Sequence, residues 1–441
     1  MKLIILTYGD PGGISGEIII KTIYYLNKNK NAFFSNYKIL IIGSLQSFFK
    51  NYTCLSSDTL FSNLSDNPSS SIENDFLFSI LNYTLFITKL EEIIKIDFKK
   101  IKNKNIFFYD PIFEIAYYLS FFPNPIIDFN NINENFNNLE KVLNNIFSLN
   151  YFSNSKSINN FKKSLLYKKL KNYQKINILK FIRNKDLNVD YKKISVKNGL
   201  FSEIYLYISY ILTSLLKHSI DSISILTMPV NKKSISFIKK DFIGQTEYLQ
   251  KLFFNKNKLK VNMIFYSDYF SILLVTTHVP IFKLKKYINK KKFEISLINS
   301  INYFKNIYGN NGKIAVIALN PHASDEGILG KEEKWIKEII EKVNKINLNK
   351  IKIEGPFPAD AIFSRYYDIS DIKMFISFYH DQGLIPFKMI AKDGGVNISF
   401  GLPFLRVSPD HGVAFDKTFK NIANINSTLK CFEIIEKFNN N

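Results

Sequence analysis

A chain of 441 residues, 46% hydrophobic and 22% charged, is long enough to bury sizeable cores and too apolar for a disordered polymer; its length suggests at least two domains. The formal charge of +21 invites a nucleic-acid reading, but only three of the 59 basic residues, Arg183, Arg365 and Arg406, are arginine. Readers of bases and phosphates favour the two-pronged guanidinium, so this lysine excess reads as a solvated surface, with no nucleic-acid partner.

Residues 2–7 read as a buried strand, 9–16 as a glycine-rich turn, and 17–26 as a helix burying Ile18, Ile19, Ile20, Ile23 and Leu26. A second strand at 38–42 ends at Gly43, and this strand–turn–helix–strand order argues for a parallel α/β sheet. From about 56 to 190 the character changes. Residues 56–71 form a Ser/Asn/Asp loop, and 106–190 contain no glycine and are thick with Asn, Lys, Phe and Tyr. With no chemical motif, 56–190 reads as a peripheral embellishment that gives no residue to a site. Alternation then resumes with a helix at 201–218, a strand at 222–227 and one or two strands within 263–276. A helix carrying Ile295, Ile298, Ile301, Phe304 and Ile307 stops at Gly309, and a strand follows at 313–319. Ile336, Ile339, Ile340 and Val343 stripe the next helix, where Trp335 reads as core, and strands at 351–354 and 374–378 run into Gly/Pro/Asp loops.

Two distant cysteines, Cys54 and Cys431, make neither a disulfide framework nor a zinc knuckle, which fits a reducing cytoplasm. The apolar opening is cut by Gly9-Asp10-Pro11 too soon for a signal peptide, and no apolar run approaches the roughly 18 residues of a membrane span. The expectation is a cytoplasmic protein with no membrane partner.

In open α/β sheets, ligands gather in loops beyond the carboxyl ends of strands. The Gly9–Gly16 loop lacks both standard phosphate fingerprints; its glycines suit an anion at a helix N-terminus and a tight structural turn equally. His218 closes a helix, whereas His278, His322 and His380 each follow an apolar strand. Singly, each is as readily structural. Together, three neutral imidazoles at like junctions can converge on one divalent cation and leave a position open for substrate. Asp360, Asp381, Asp325 and Glu326 lie in the same or neighbouring loops, where carboxylates orient histidines or accept a proton. Lys388, Asn397 and Arg406 make a clamp for phosphate and carboxylate; Lys388 reads equally as one more surface lysine, Arg406 much less so.

The ordered runs Gly9–Glu17, Thr227-Met228-Pro229-Val230-Asn231-Lys232, Gly244-Gln245-Thr246-Glu247-Tyr248-Leu249 and Val275-Thr276-Thr277-His278-Val279-Pro280 resemble the 4-hydroxythreonine-4-phosphate dehydrogenase family. So do Leu319-Asn320-Pro321-His322-Ala323, Gly355-Pro356-Phe357-Pro358-Ala359-Asp360, Tyr379-His380-Asp381-Gln382-Gly383-Leu384, Gly395-Val396-Asn397-Ile398, Gly401-Leu402-Pro403-Phe404-Leu405-Arg406 and Asp410-His411-Gly412. The likeness covers roughly 1–45 and 196–425, and the intervening segment is longer than the family norm.

The resemblance implies two α/β/α domains of the isocitrate/isopropylmalate dehydrogenase type, with the active site in the cleft between them and a homodimer as the assembly. The first domain would be 1–230 with 415–441, carrying the insertion at about 56–190, and the second 231–414. The resemblance further implies a divalent metal (Zn, Co or Mg) on His278, His322 and His380, and substrate contacts from Gln245, Thr246, Lys388, Asn397 and Arg406. Asp360, Asp381 and Lys388 would be catalytic. NAD or NADP would accept hydride from 4-phosphooxy-L-threonine, and the 3-oxo acid would lose CO2 to give 3-amino-2-oxopropyl phosphate, on the route to pyridoxal 5'-phosphate. No motif marks the residues that hold the nicotinamide. The family's usual histidine at position 245 is replaced by Gln245, which cannot carry a charge to the phosphate. That departure keeps two alternatives open: a sibling dehydrogenase of erythronate or threonate 4-phosphate, and a catalytically inactive member.

Overall fold

The computed structural model describes residues 2–29, 33–57, 84–87, 106–110, 188–254, 261–347, 350–364, 371–391 and 395–440. The chain divides into two compact units, Met1–Phe242 with His411–Ile425 and Ile243–Asp410 with Asn426–Asn441.

The first unit is built on five parallel strands in the order β3-β4-β2-β1-β5: β1 Lys2–Thr7, β2 Tyr37–Ile42, β3 Thr84–Ile87, β4 Ile106–Tyr109 and β5 Ser222–Thr227. Runs such as Leu3-Ile4-Ile5-Leu6 and Ile39-Leu40-Ile41-Ile42 are fully buried, as expected of a parallel sheet covered on both faces. The helix Val196–Leu216 begins earlier than the apolar periodicity shows, because Ser195 caps it by accepting the Asn198 N–H. It is long and apolar enough to cross a membrane. It lies instead mostly buried against β1, β2 and β5, as a core helix does.

The glycine-rich loop is a packing device. A Cβ at Gly12 would lie 2.3 Å from the Asp190 carbonyl, and one at Gly13 2.3 Å from Val413 Cγ1. Its donors are spent inside the fold: Gly12 N–H on Asp10 Oδ1 (2.9 Å), Gly13 N–H on the Asp10 carbonyl (3.3 Å) and Ile14 N–H on the Val413 carbonyl (3.2 Å). No anion is needed to explain it.

Burial pushes the Asp10 carboxyl up to about 7 against the hydrogen bonds from Gly12 and Asn198. A folded-state value above the unfolded one means the native state holds the proton longer, so stability is full below about pH 4 and falls as pH rises to about 7. Asp10→Asn removes that titration. Its stability relative to wild type should therefore climb by about 2–4 kcal/mol across the window, at 1.36 kcal/mol per pKa unit. Denaturant melts at pH 4.5 and pH 8, values chosen to bracket it, check this; a pH-independent difference would contradict it.

The expectation of a wholly peripheral 56–190 segment needs correction. β3 and β4 come from it and extend the sheet; β4 is completely buried, and Asp110 just after it accepts the Leu45 N–H at 2.8 Å. The remainder of 58–187 lies outside the described residues, and with it the rest of that reading.

The second unit carries seven strands in the order β12-β11-β6-β7-β10-β8-β9. These are β6 Asn262–Tyr266, β7 Ser271–Leu274, β8 Asn311–Ile317, β9 Lys350–Phe357, β10 Ile372–Ser377, β11 Val396–Phe400 and β12 Leu405–Pro409. β7, β10, β8 and β9 are parallel, whereas β12, β11, β6 and β7 pair antiparallel, so this part of the sheet is mixed, unlike the all-parallel first unit that the opening residues led us to expect. Met263, Phe265, Ile272, Leu274, Phe375, Leu384 and Phe387 share one core cluster. Trp335, read as core, is half-buried: it packs edge-on to the buried Phe293 and Phe378 at 5.8 and 6.4 Å and so borders the core.

Both unit boundaries depart from the expected ones. The first falls after Phe242 because the short helix Lys232–Ser236 packs tightly on Val196–Leu216, where a Cβ at Gly199 would meet the Ser234 carbonyl at 2.1 Å. The C-terminal helix Asn426–Asn440 belongs to the second unit, not the first, because its buried Cys431, Phe432, Ile434 and Ile435 lie against β11 and β12.

Candidate active site

Because β7, β10, β8 and β9 are parallel neighbours, the loops bearing His278, His380, His322 and Asp360 all leave the same edge of the second unit's sheet. The chain after β7 stays zipped to β10: Val275 N–H donates to Ser377 O (2.8 Å), and Thr276 donates to Phe378 O through both N–H (3.1 Å) and Oγ1 (2.6 Å). Gln382 ties β10 to β8, accepting the Phe378 N–H at 2.8 Å and donating to Ala318 O at 2.6 Å.

This scaffold brings His278 and His380 together, with ring centroids 5.9 Å apart. Each ring has a carboxylate on Nδ1: Glu247 Oε1 at 3.0 Å from His278, and Asp381 Oδ1 at 2.6 Å from His380. Glu247 also accepts from Thr277 Oγ1 at 3.2 Å. Burial would raise the Glu247 pKa, but the hydrogen bond and charge of His278 prevail and hold it below the ordinary carboxylate value. Lys292 lies close enough that Glu247 partly offsets the lowering of its pKa by burial. Sequence reasoning did not single out Glu247. Its signal was the run Gly244-Gln245-Thr246-Glu247: a Cβ at Gly244 would stand 2.7 Å from Glu247 Oε2.

His322 is exposed in the turn Pro321–Gly327, where His322 to Glu326 all have positive φ, from 44° to 69°. L-residues resist that region by roughly 1–2 kcal/mol each, so the turn needs anchoring. Glu333 provides it, accepting the Asn320 N–H at 2.9 Å, the Asn320 side-chain amide at 3.0 Å and the Ser324 hydroxyl. Among the described residues no group of three or more His, Cys, Asp or Glu gathers to hold a metal, so within this single chain His322 does not join the pair. Asp360, at the start of the helix Ala359–Ser364, is exposed and has no hydrogen bond or ion pair to either histidine.

Arg406 on β12 is only 2% exposed; its Nη1 donates to Ser399 Oγ (3.1 Å) and Thr246 Oγ1 (3.4 Å), which bond each other at 2.7 Å. Burial brings its guanidinium down to about 10, with the charge of Glu247 among the opposing influences. Ser399 was not foreseen. Asn397 shares its face of β11, two residues back, and its Oδ1 is buried without a partner. Lys388, on the helix His380–Ala391, forms an ion pair with Asp410 at 3.1 Å. Gln245, half-buried, opens the helix Gln245–Phe254 beside Thr246.

A buttressed histidine pair beside a sealed arginine and two hydroxyls is equipment for handling a small anionic molecule. Residues 134–435 match the model of the pyridoxal phosphate biosynthetic protein PdxA family, and the chain belongs to that family. It is 41% identical over 214 residues, 48% of this chain, to the 4-hydroxythreonine-4-phosphate dehydrogenase of Aquifex aeolicus, and spans 64% of that protein. It is 35% identical over 193 residues, 44% of this chain, to the D-threonate 4-phosphate dehydrogenase of Pectobacterium atrosepticum, and spans 57% of it. It thus covers less than two thirds of either relative, both of them named as dehydrogenases. The structure of 4-hydroxythreonine-4-phosphate dehydrogenase from Klebsiella pneumoniae superposes with a TM-score of 0.59 over 99% of both chains at 20% identity, which shows a common fold.

Proposed function

We propose that this protein oxidises 4-phosphooxy-L-threonine with NAD or NADP in a divalent-metal-dependent reaction, giving a 3-oxo acid that decarboxylates to 3-amino-2-oxopropyl phosphate for pyridoxal 5'-phosphate synthesis. The observation that carries the reading is the His278–His380 pair, 5.9 Å apart, with a carboxylate on each Nδ1. In its neutral form an imidazole so held has its lone pair on Nε2, the donor that Zn²⁺ or Co²⁺ prefers, and Mg²⁺ less so. His278 and His380 would hold the cation, with His322 of a second copy as third ligand. A bound divalent cation would supply Lewis acidity at the substrate hydroxyl, lowering its pKa.

The chain's own groups do the rest. Arg406, held against Thr246 and Ser399, fixes an anionic end of the substrate, and Asn397 adds an unspent amide oxygen for a donor. Asp381 and Lys388 stand seven residues apart on one helix and so share a face. Asp381 orients His380, and Lys388, exchanging Asp410 for substrate, gives or takes the proton at the reacting oxygen. Asp360, free of the histidines, is the second carboxylate at that edge. A homodimer agrees with the exposed apolar side chains after each histidine: Ile281 and Phe282 beyond His278, Ile328 and Leu329 beyond His322, Ile385 and Met389 beyond His380. Light scattering should give twice the 51.3 kDa chain mass; a monomer at micromolar concentration would contradict it.

The relative acting on D-threonate 4-phosphate keeps a second substrate in view, and Gln245 is where the two readings part. NADH formation from 4-phosphooxy-L-threonine, D-threonate 4-phosphate and D-erythronate 4-phosphate, in wild type and Gln245→His, separates them. With the first as native substrate, Gln245→His should lower KM by about 0.5–1.5 kcal/mol with kcat little changed, since a remote anion contact serves ground and transition states alike. That gain should fade as pH rises through the imidazole pKa. Faster turnover of a threonate or erythronate ester, with 4-phosphooxy-L-threonine inert in both proteins, would replace this reading by the sibling one.

A further inference from the structure

We propose that Glu247 is the positioning residue of the histidine pair: it accepts the Nδ1–H of His278 and so fixes the tautomer of the neutral ring, the one that leaves the lone pair on Nε2 for a ligand. The inference rests on the reading of His278 as a metal ligand. An ionised carboxylate only accepts, so at 3.0 Å from Glu247 Oε1 the proton of a neutral ring must sit on Nδ1. The acceptor is itself fixed. It occupies the first turn of Gln245–Phe254, takes a second hydrogen bond from Thr277, the residue before His278, and sits where Gly244 has no side chain to displace it.

The pair is asymmetric in a way that singles out Glu247. Asp381 meets His380 in the same manner, but its side chain is 63% exposed against 27% for Glu247, so water competes with Asp381 far more effectively. Glu247 and His278 are also 31 residues apart, so their contact locks two separate elements, whereas Asp381 adjoins His380 in the chain. Outer carboxylates of this kind typically change metal affinity about 10–100-fold when removed.

The test is the tautomer of His278, read by long-range ¹H–¹⁵N NMR on metal-free protein at a pH high enough that the ring is neutral, together with the Co²⁺ affinity read from its visible absorption. Wild type should show the Nδ1–H form. Glu247→Ala should move His278 towards the Nε2–H form and weaken Co²⁺ binding about 10–100-fold. Glu247→Gln, whose amide oxygen still accepts, should restore most of the Nδ1–H form, and Asp381→Ala should weaken Co²⁺ less than Glu247→Ala does. A neutral wild-type His278 ring protonated on Nε2 overturns the proposal even if Glu247→Ala fails to fold. So does an alanine variant with unchanged tautomer and affinity. If wild type binds no Co²⁺ yet the tautomer follows Glu247 as described, the positioning role stands and the metal reading fails.

Discussion

Replacing either His278 or His380 with alanine should lower kcat/KM by about 10³-fold or more while leaving thermal stability nearly unchanged. A metal that polarises the reacting oxygen contributes several kcal/mol to the transition state, and each 1.36 kcal/mol is tenfold in rate. Both rings are about one third exposed, at 32% and 39%, so truncation opens no internal cavity. The double variant should be little worse than either single one, because groups that act as a unit lose their effect together. Steady-state kinetics with thermal melts decide the matter. A loss under tenfold for either variant would mean that the pair stands away from the chemistry.

Arg406→Ala should be costly in both stability and activity. The side chain is almost sealed and bonds two hydroxyls, Thr246 and Ser399. Hydrogen bonds to a charged group contribute about 1.5–3 kcal/mol, and emptying so large a buried volume adds a cavity term, so about 3–5 kcal/mol of destabilisation is expected. kcat/KM should fall about 100-fold, mainly through KM, since the anion contact exists in ground and transition states alike. Arg406→Lys should not restore it, because an ammonium cannot reproduce the planar fork. Denaturant melts and kinetics on both variants check this. A stability loss below about 1 kcal/mol, or full activity with lysine, would make Arg406 incidental.

What the sequence disclosed depended on distance along the chain. His278, His322 and His380 were legible because each follows an apolar strand, and the parallel run β7-β10-β8-β9 does bring their loops to one edge. Asp381 was legible because it adjoins His380. Glu247 was not, since it meets His278 across 31 residues through a tertiary contact with no local pattern. Ser399 stayed hidden for the same reason, facing Arg406 across β11 and β12, strands whose shortness and intervening Gly401-Leu402-Pro403 masked their alternation. β3 and β4 were missed because four-residue strands leave too little periodicity among so many Asn and Lys. The left-handed turn at His322 follows from its anchorage on Glu333, which no propensity encodes.

Oxidation of a phosphorylated hydroxy acid by this protein should depend on a divalent metal. The most direct test is NADH or NADPH formation from 4-phosphooxy-L-threonine by protein stripped of metal, then resupplied with Zn²⁺ or Co²⁺. The stripped protein should be inactive, the resupplied protein active, and His380→Ala unresponsive to added metal. Undiminished turnover in excess chelator, or none with any metal and any of the three phosphorylated acids, would contradict a metal-dependent dehydrogenase.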